Sequence, residues 1–204
     1  MLHISKMEQI RSFIAIELPS GIKAELASIE ERLKIRPYPF VKWVDPEGIH
    51  LTLKFLGNVA STTVPEIAEA LTKVAQRISP FNLQMGGLGA FPNLRRPQVI
   101  WVGIGGEVEK SAILQRDIDA ALAPLGFPPE SRSFSPHLTL GRLREGASPQ
   151  ERQKLGQWVS SIKFEGSLSF EVDALSLMKS QLTPRGAIYS QLASMRLGSE
   201  SFHT

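Results

Sequence analysis

Apolar and polar positions along the chain alternate between two periods, and the switches mark the elements. "SFIAIEL" (Ser12 to Leu18) reads as a buried strand. Ile22, Leu26, Ile29 and Leu33 then follow helical spacing, with Ser20 as the expected cap and "RPYP" (Arg36 to Pro39) as the stop. "FVKWV" and "IHLTLKFLG" read as strands. Thr63 and Glu66 form a capping-box pattern ahead of a helix that turns Ile67, Leu71, Val74 and Ile78 to one face. "FNLQMGGLGAF" is a strand broken by glycines, and "QVIWVGI" is another strand. A helix from about Val108 to Leu125 precedes the strand "SFSPHLTLGRL". Ser148, Pro149 and Glu151 predict a capped helix running to about Val159, and "FEVDALSLMKS" and "AIYSQLASM" read as closing strands.

This order repeats. "FIAI", helix, "HLTL", helix, "NLQMGGL" is followed by "VIWV", helix, "HLTL", helix, "EVDALSL". The two "HLTL" words place His50 and His137 87 residues apart, and the opening strands at Phe13 and Val99 are 86 apart. One strand–helix–strand–helix–strand unit used twice predicts two pseudo-symmetric lobes, with the repeated word facing itself across a cleft. The repeat units are expected over about 11–90 and 97–180.

On a strand, His50 and Thr52 point one way and Leu51 and Leu53 the other; the same holds for His137 and Thr139 against Leu138 and Leu140. Each word mounts an imidazole and a hydroxyl on one face and anchors them with two leucines. Histidine exchanges protons near neutrality, so two of them can act as acid and base. Threonine hydroxyls donate hydrogen bonds to an anion. The set suits in-line displacement at phosphorus, where the charge on the non-bridging oxygens must be stabilised. A lone His-x-Thr on a strand is ordinarily a half-buried structural residue; two copies in matching positions reverse that judgement. Lys54 is in phase with His50 and Thr52 and is expected to reach the cleft. Arg142 follows the second word closely, and strict alternation puts it on the leucine face unless the strand bulges at Gly141. Phe55, Trp43, Phe91 and Phe134 could stack on a base, although each taken singly reads first as core filling, and Lys179 and Ser180 are candidates for the rim.

Composition narrows the picture. The chain has 204 residues, a net charge of +3 and no cysteine. Disulfides and thiolate zinc sites are excluded, and two histidines are too few for a closed zinc site. No apolar run approaches a membrane span, and the start lacks a signal-peptide core, so a cytoplasmic protein without membrane attachment is expected. The small charge does not announce a nucleic-acid binder; it is compatible with an anionic substrate if Lys54, Arg95, Arg96, Arg132, Arg142 and Arg144 cluster, while each taken singly reads as a solvated surface charge. No G-x-S-x-G serine motif or phosphate loop occurs.

Paired H-x-T-x words in a chain of this size resemble the two-histidine (2H) phosphoesterases. "RSFIAIELP", "VKWVDPEGIHLTLKFLG", "GAFPNLRRPQVIWVGI", "RSFSPHLTLGRLR" and "LSLMKSQLTPRGAIY" are similar to RNA 2′,3′-cyclic phosphodiesterases, also described as 2′-5′ RNA ligases. The resemblance spans about Arg11 to Tyr189. It implies an α+β bilobal fold, with two mostly antiparallel sheets lining a central cleft and helices outside. It implies one such domain over 11–195, leaving 1–10 as an extension, with Met7 an alternative start, and 196–204 as a tail. The implied activity is metal-independent and cofactor-free hydrolysis of RNA 2′,3′-cyclic phosphate ends to 2′-phosphates. His50 would be the proton donor, His137 the acceptor, and Thr52 and Thr139 phosphate ligands, with Arg142, Lys54 and Phe55 as further substrate contacts. Sequence alone leaves open which histidine is acid and which is base. Ligation at the same site, and a non-catalytic RNA-end-binding module, remain as alternatives; a monomer is the default.

Overall fold

In the computed structural model, residues 8–163, 168–184 and 186–198 are described; Met7 and the tail beyond Gly198 lie outside them. The expected alternation of elements is present. Strands β1 (Gln9–Glu17), β2 (Val41–Trp43), β3 (His50–Ala60), β4 (Phe81–Phe91), β5 (Val99–Gly106), β6 (His137–Leu143), β7 (Ser169–Val172), β8 (Ala174–Thr183) and β9 (Gly186–Arg196) are interleaved with four helices. These are α1 (Ser20–Lys34), α2 (Val64–Ala75), α3 (Val108–Leu122) and α4 (Pro149–Ser161). β1 starts at Gln9, where Gln9 and Ile10 already pair with Ala60 and Val59.

The strands form two antiparallel sheets, ordered β3-β1-β8-β9 and β2-β6-β5-β4-β7. Strands β1 and β5 are paired in similar register. Phe13 on β1 opposes Phe55 and Met178, and 86 residues later Val99 on β5 opposes Arg142 and Phe91. The third strand of each unit, however, joins the other unit's sheet: β8 flanks β1, and β4 flanks β5. The lobes are therefore interlocked rather than strung in series. This exchange also divides "FEVDALSLMKS", which the sequence presents as one strand. β7 pairs with β4, the chain turns at Asp173, and β8 pairs with β1.

Two helix starts differ from expectation. The N-cap of α1 is Pro19, and Ser20 is already helical. Thr63 belongs to a 3₁₀ turn and makes no capping hydrogen bond, so that capping box does not form. The box at Ser148 and Glu151 does form, with both reciprocal bonds present. The helix expected to reach Leu125 ends at Leu122 and continues as a 3₁₀ turn, Ala123–Leu125.

All four helices and both sheets meet in one apolar core. It holds Leu26 and Leu33 of α1, Ile67 and Leu71 of α2, Leu114 and Ile118 of α3, and Leu155 and Val159 of α4. Leu51, Leu53, Leu138 and Leu140 of the two repeated words belong to the same core. No described helix is long and apolar enough to cross a membrane. Helix α4 is seated by Gly156, where an added Cβ would collide with the backbone carbonyl of Leu94. Gly156→Ala is therefore expected to cost about 2 kcal/mol through forced displacement, although alanine is the better helix former. Urea unfolding measures this, and a neutral or stabilising result contradicts the close approach.

Candidate functional site

Each repeated word forms the start of a strand, and both strands carry the same defect. In the β1/β3 ladder Ala15 opposes Thr52 but Ile14 opposes Lys54, leaving Leu53 as an extra residue. In the β5/β6 ladder Trp101 opposes Thr139 but Ile100 opposes Gly141, leaving Leu140 extra. A β-bulge of this kind shifts the side-chain alternation by one. Before it, His50 and Thr52, or His137 and Thr139, share the face opposite the core. After it, Phe55 and Arg142 return to that face, both exposed, while Lys54 and Gly141 are buried.

The bulge corrects one expectation and satisfies the condition attached to another. Lys54 does not follow His50 and Thr52. It is 2% exposed, and its ammonium lies 2.5 Å from Asp119 Oδ1 and 2.7 Å from the Pro128 carbonyl. Asp119 Oδ2 also accepts from Gln115 and from the backbone of Glu130. Burial pushes the Asp119 carboxyl up, but these three donors outweigh it and hold the group below its ordinary range. Lys54 is thus committed to a buried ion pair. Arg142 lies on the imidazole face because the strand does bulge, one residue before Gly141. At the position matching Lys54 the space is tight: a Cβ on Gly141 would meet Trp43 and Val41 at 3.0 Å.

The histidines are mounted alike. His50 Nδ1 lies 2.9 Å from the Gly48 carbonyl oxygen, and His137 Nδ1 lies 2.7 Å from that of Ser135. A carbonyl only accepts, so each Nδ1 carries the hydrogen. Each Nε2 is left to act on whatever enters the site. Aromatic rings brace both imidazoles. Phe13 stacks on His50 at 4.5 Å, and Tyr189 meets it edge-on at 4.9 Å. Phe91 meets His137 edge-on at 4.9 Å and contacts Trp101 at 5.3 Å. Strands β3 and β6 touch across the two sheets. The leucines of both words lie in one core, so each His/Thr pair sits on its strand's face away from that core.

The two sites differ in surroundings. Burial lowers the pKa of His50 below its ordinary value, partly offset by the Gly48 carbonyl and by Glu17, while Lys23 adds to the lowering. Phe55, 60% exposed, packs one side against buried Phe13, 6.2 Å away between ring centres. Beside His137 an open hollow is lined by Trp101, Gly103, Val108, Phe134 and Pro136. Arg95, Arg96, Arg132 and Arg144 are exposed. Trp43 packs against the core, and Lys179 lies in register with buried Ser12, its ammonium 3.7 Å from Glu8. The sequence pattern does not single out Phe13, Tyr189 and Trp101. Phe13 and Trp101 oppose site residues across ladders, and only the register reveals that. Among the described residues, no three His, Cys, Asp or Glu side chains gather as a metal-ligand set.

A family model described as LigT like Phosphoesterase matches residues 16–101 and 107–189. The chain belongs to the LigT-like phosphoesterase family. An RNA 2′,3′-cyclic phosphodiesterase of Methanothermobacter thermautotrophicus is 34% identical over 189 residues, covering 93% of this chain and 100% of that protein. One of Aquifex aeolicus is 30% identical, covering 94% and 100%. Among solved structures, a Thermus thermophilus protein superposes with a TM-score of 0.75 at 26% identity, covering 94% of this chain and 100% of that one. Escherichia coli LigT complexed with 3′-AMP gives 0.68 at 27%, covering 93% and 99%. The LigT-like fold, bilobal and α+β, is thus shared along nearly the whole chain.

The geometry of His50 sets a pH test. Its folded pKa is below 6.5 and its unfolded value is near 6.5. Between those values the unfolded chain binds more protons, so this group's contribution to stability is full above about pH 6.5 and is lost as pH falls through the folded value. An NMR titration is expected to place the His50 midpoint below 6.5; a midpoint above that value contradicts the burial argument.

Proposed function

We propose that this protein hydrolyses RNA 2′,3′-cyclic phosphate ends to 2′-phosphomonoesters by acid–base catalysis between His50 and His137, without a metal ion. The observation that carries the reading is the duplicated mount: two bulged strands, each with Nδ1–H tied to a carbonyl and Nε2 free beside a threonine. The relatives named above supply the substrate class.

The reaction follows from that arrangement. The cyclic phosphate sits between the two words. The Thr52 and Thr139 hydroxyls donate to its non-bridging oxygens, where charge builds in the transition state. His137 Nε2 takes a proton from water as the water oxygen bonds to phosphorus. The P–O3′ bond breaks opposite, and His50 Nε2–H protonates the departing 3′ oxygen. The products are a 2′-phosphate and a free 3′ hydroxyl, and the two histidines exchange protons with solvent to reset. Phe55 offers a face for a base, and Arg142 a fork for a neighbouring phosphate. His50 must be protonated in the reacting complex. Burial opposes that, and the anionic phosphodiester favours it.

His50→Ala and His137→Ala are each expected to reduce turnover of a cyclic-phosphate oligonucleotide by about 10²- to 10⁴-fold, with wild-type activity unaffected by chelator. Folded single mutants that retain turnover contradict the mechanism. A 3′-phosphate product contradicts the assigned leaving oxygen.

A further inference from the structure

The two half-sites match in strand, bulge, carbonyl acceptor, threonine and bracing aromatic ring. They differ in the residue directly across the ladder. His50 opposes Glu17 on β1, whereas His137 opposes Gly103 on β5. Directly opposed residues of an antiparallel pair share one face, with their Cβ atoms about 5 Å apart. One imidazole therefore has a carboxylate beside it and the other has none at the equivalent place.

Glu17 is not a loose surface acid. Its Oε1 accepts from Ser176 Oγ at 2.6 Å and from Gln191 Nε2 at 2.6 Å, and Gln191 also donates to Ser176 Oγ at 3.1 Å. Ser176 on β8 is buried, and Gln191 lies on β9, so three strands fix the carboxylate. His50 is equally fixed, by Gly48, Phe13 and Tyr189. The charged groups that act on it are Glu17 from β1 and Lys23 from α1, and Tyr189 from β9 is the titratable ring against it. Lys23 opposes the imidazolium, but its ammonium is engaged by the Glu47 carbonyl at 2.9 Å and lies 3.5 Å from the Glu47 carboxylate. Glu17 is the acid held against the ring's own strand.

Resting on the two-histidine reading above, we propose that Glu17 is a positioning residue that favours the protonated form of His50, and so makes the first half-site the proton donor. Gly103, at the matching position, leaves His137 without such a partner and suited to act as the base. This cross-strand difference gives the pseudo-symmetric site a direction, working against the burial that lowers the His50 pKa. The polarity of hydrolysis, with the 3′ oxygen departing toward His50, follows from it.

Glu17→Gln tests this, because the amide oxygen still accepts from Ser176 and Gln191 while the charge is gone. Histidine NMR titrations of the free protein are expected to show the His50 midpoint lowered by about half a pH unit, with the His137 midpoint little changed. The alkaline limb of kcat/KM is expected to move down by the same amount, because the donor loses its proton earlier. Glu17→Asp keeps the charge and is expected to hold the His50 midpoint nearer wild type than Glu17→Gln does. It also supplies the charged arm if the glutamine variant folds poorly, with Glu17→Ala then providing the neutral arm. An unmoved His50 midpoint overturns the proposal. So does a shift of His137 as large as that of His50, or a lowered His50 midpoint with an unmoved alkaline limb. Each leaves the two-histidine reading standing, since that reading is tested separately by turnover of His50→Ala and His137→Ala.

Discussion

An extra residue in each histidine strand, Leu53 in one and Leu140 in the other, sets what the site can contain. Without the bulges, strict alternation would put Lys54 beside Thr52 and bury Arg142 against the leucines. With them, each strand keeps a regularly paired stretch for the His/Thr mount and then changes face. Phe55 and Arg142 emerge at matching positions, one aromatic and one cationic. The same shift sends Lys54 inward, where it needs a partner because an unpaired buried charge is costly.

That partner ties the halves together. Asp119 lies on α3, which follows β5, whereas Lys54 lies on β3. The Lys54 ammonium also holds the Pro128 carbonyl, and Asp119 holds the Glu130 amide. This segment runs directly to Ser135 and His137. The first histidine strand and the approach to the second therefore share one buried polar knot. The swapped strands β4 and β8 and the apolar core common to both sheets add to that coupling. A site assembled from two lobes needs such coupling, because proton transfer tolerates little change in distance.

Much of this is legible in the chain. Period-two alternation in "HLTL" separates the leucines from the His/Thr face, and the near-equal offsets of 86 and 87 residues expose the repeat. The first bulge is not legible, and only Gly141 hints at the second. Leu53 and Leu140 are apolar in either register, and "HLTLKF" contains no glycine or proline to flag a break. Alternation misplaces Lys54 for that reason, and it places Arg142 only conditionally. The change of sheet at Asp173 is hidden as well, because β7 and β8 are adjacent and equally apolar. Phe13, Tyr189 and Glu17 come to His50 from β1 and β9, and only cross-strand register reveals such neighbours. Pattern identifies what each strand carries; register identifies what each residue faces.

The central claim is that two half-sites, each ending in a free Nε2, serve one phosphorus. A crystal structure with a uridine–vanadate complex, which mimics the five-coordinate phosphorus, tests it most directly. The account predicts one bound complex, with His50 Nε2 and His137 Nε2 each about 3 Å from opposite apical oxygens, and both Nδ1 atoms still on the Gly48 and Ser135 carbonyls. A complex held by one histidine alone, or an imidazole turned to present Nδ1, contradicts it.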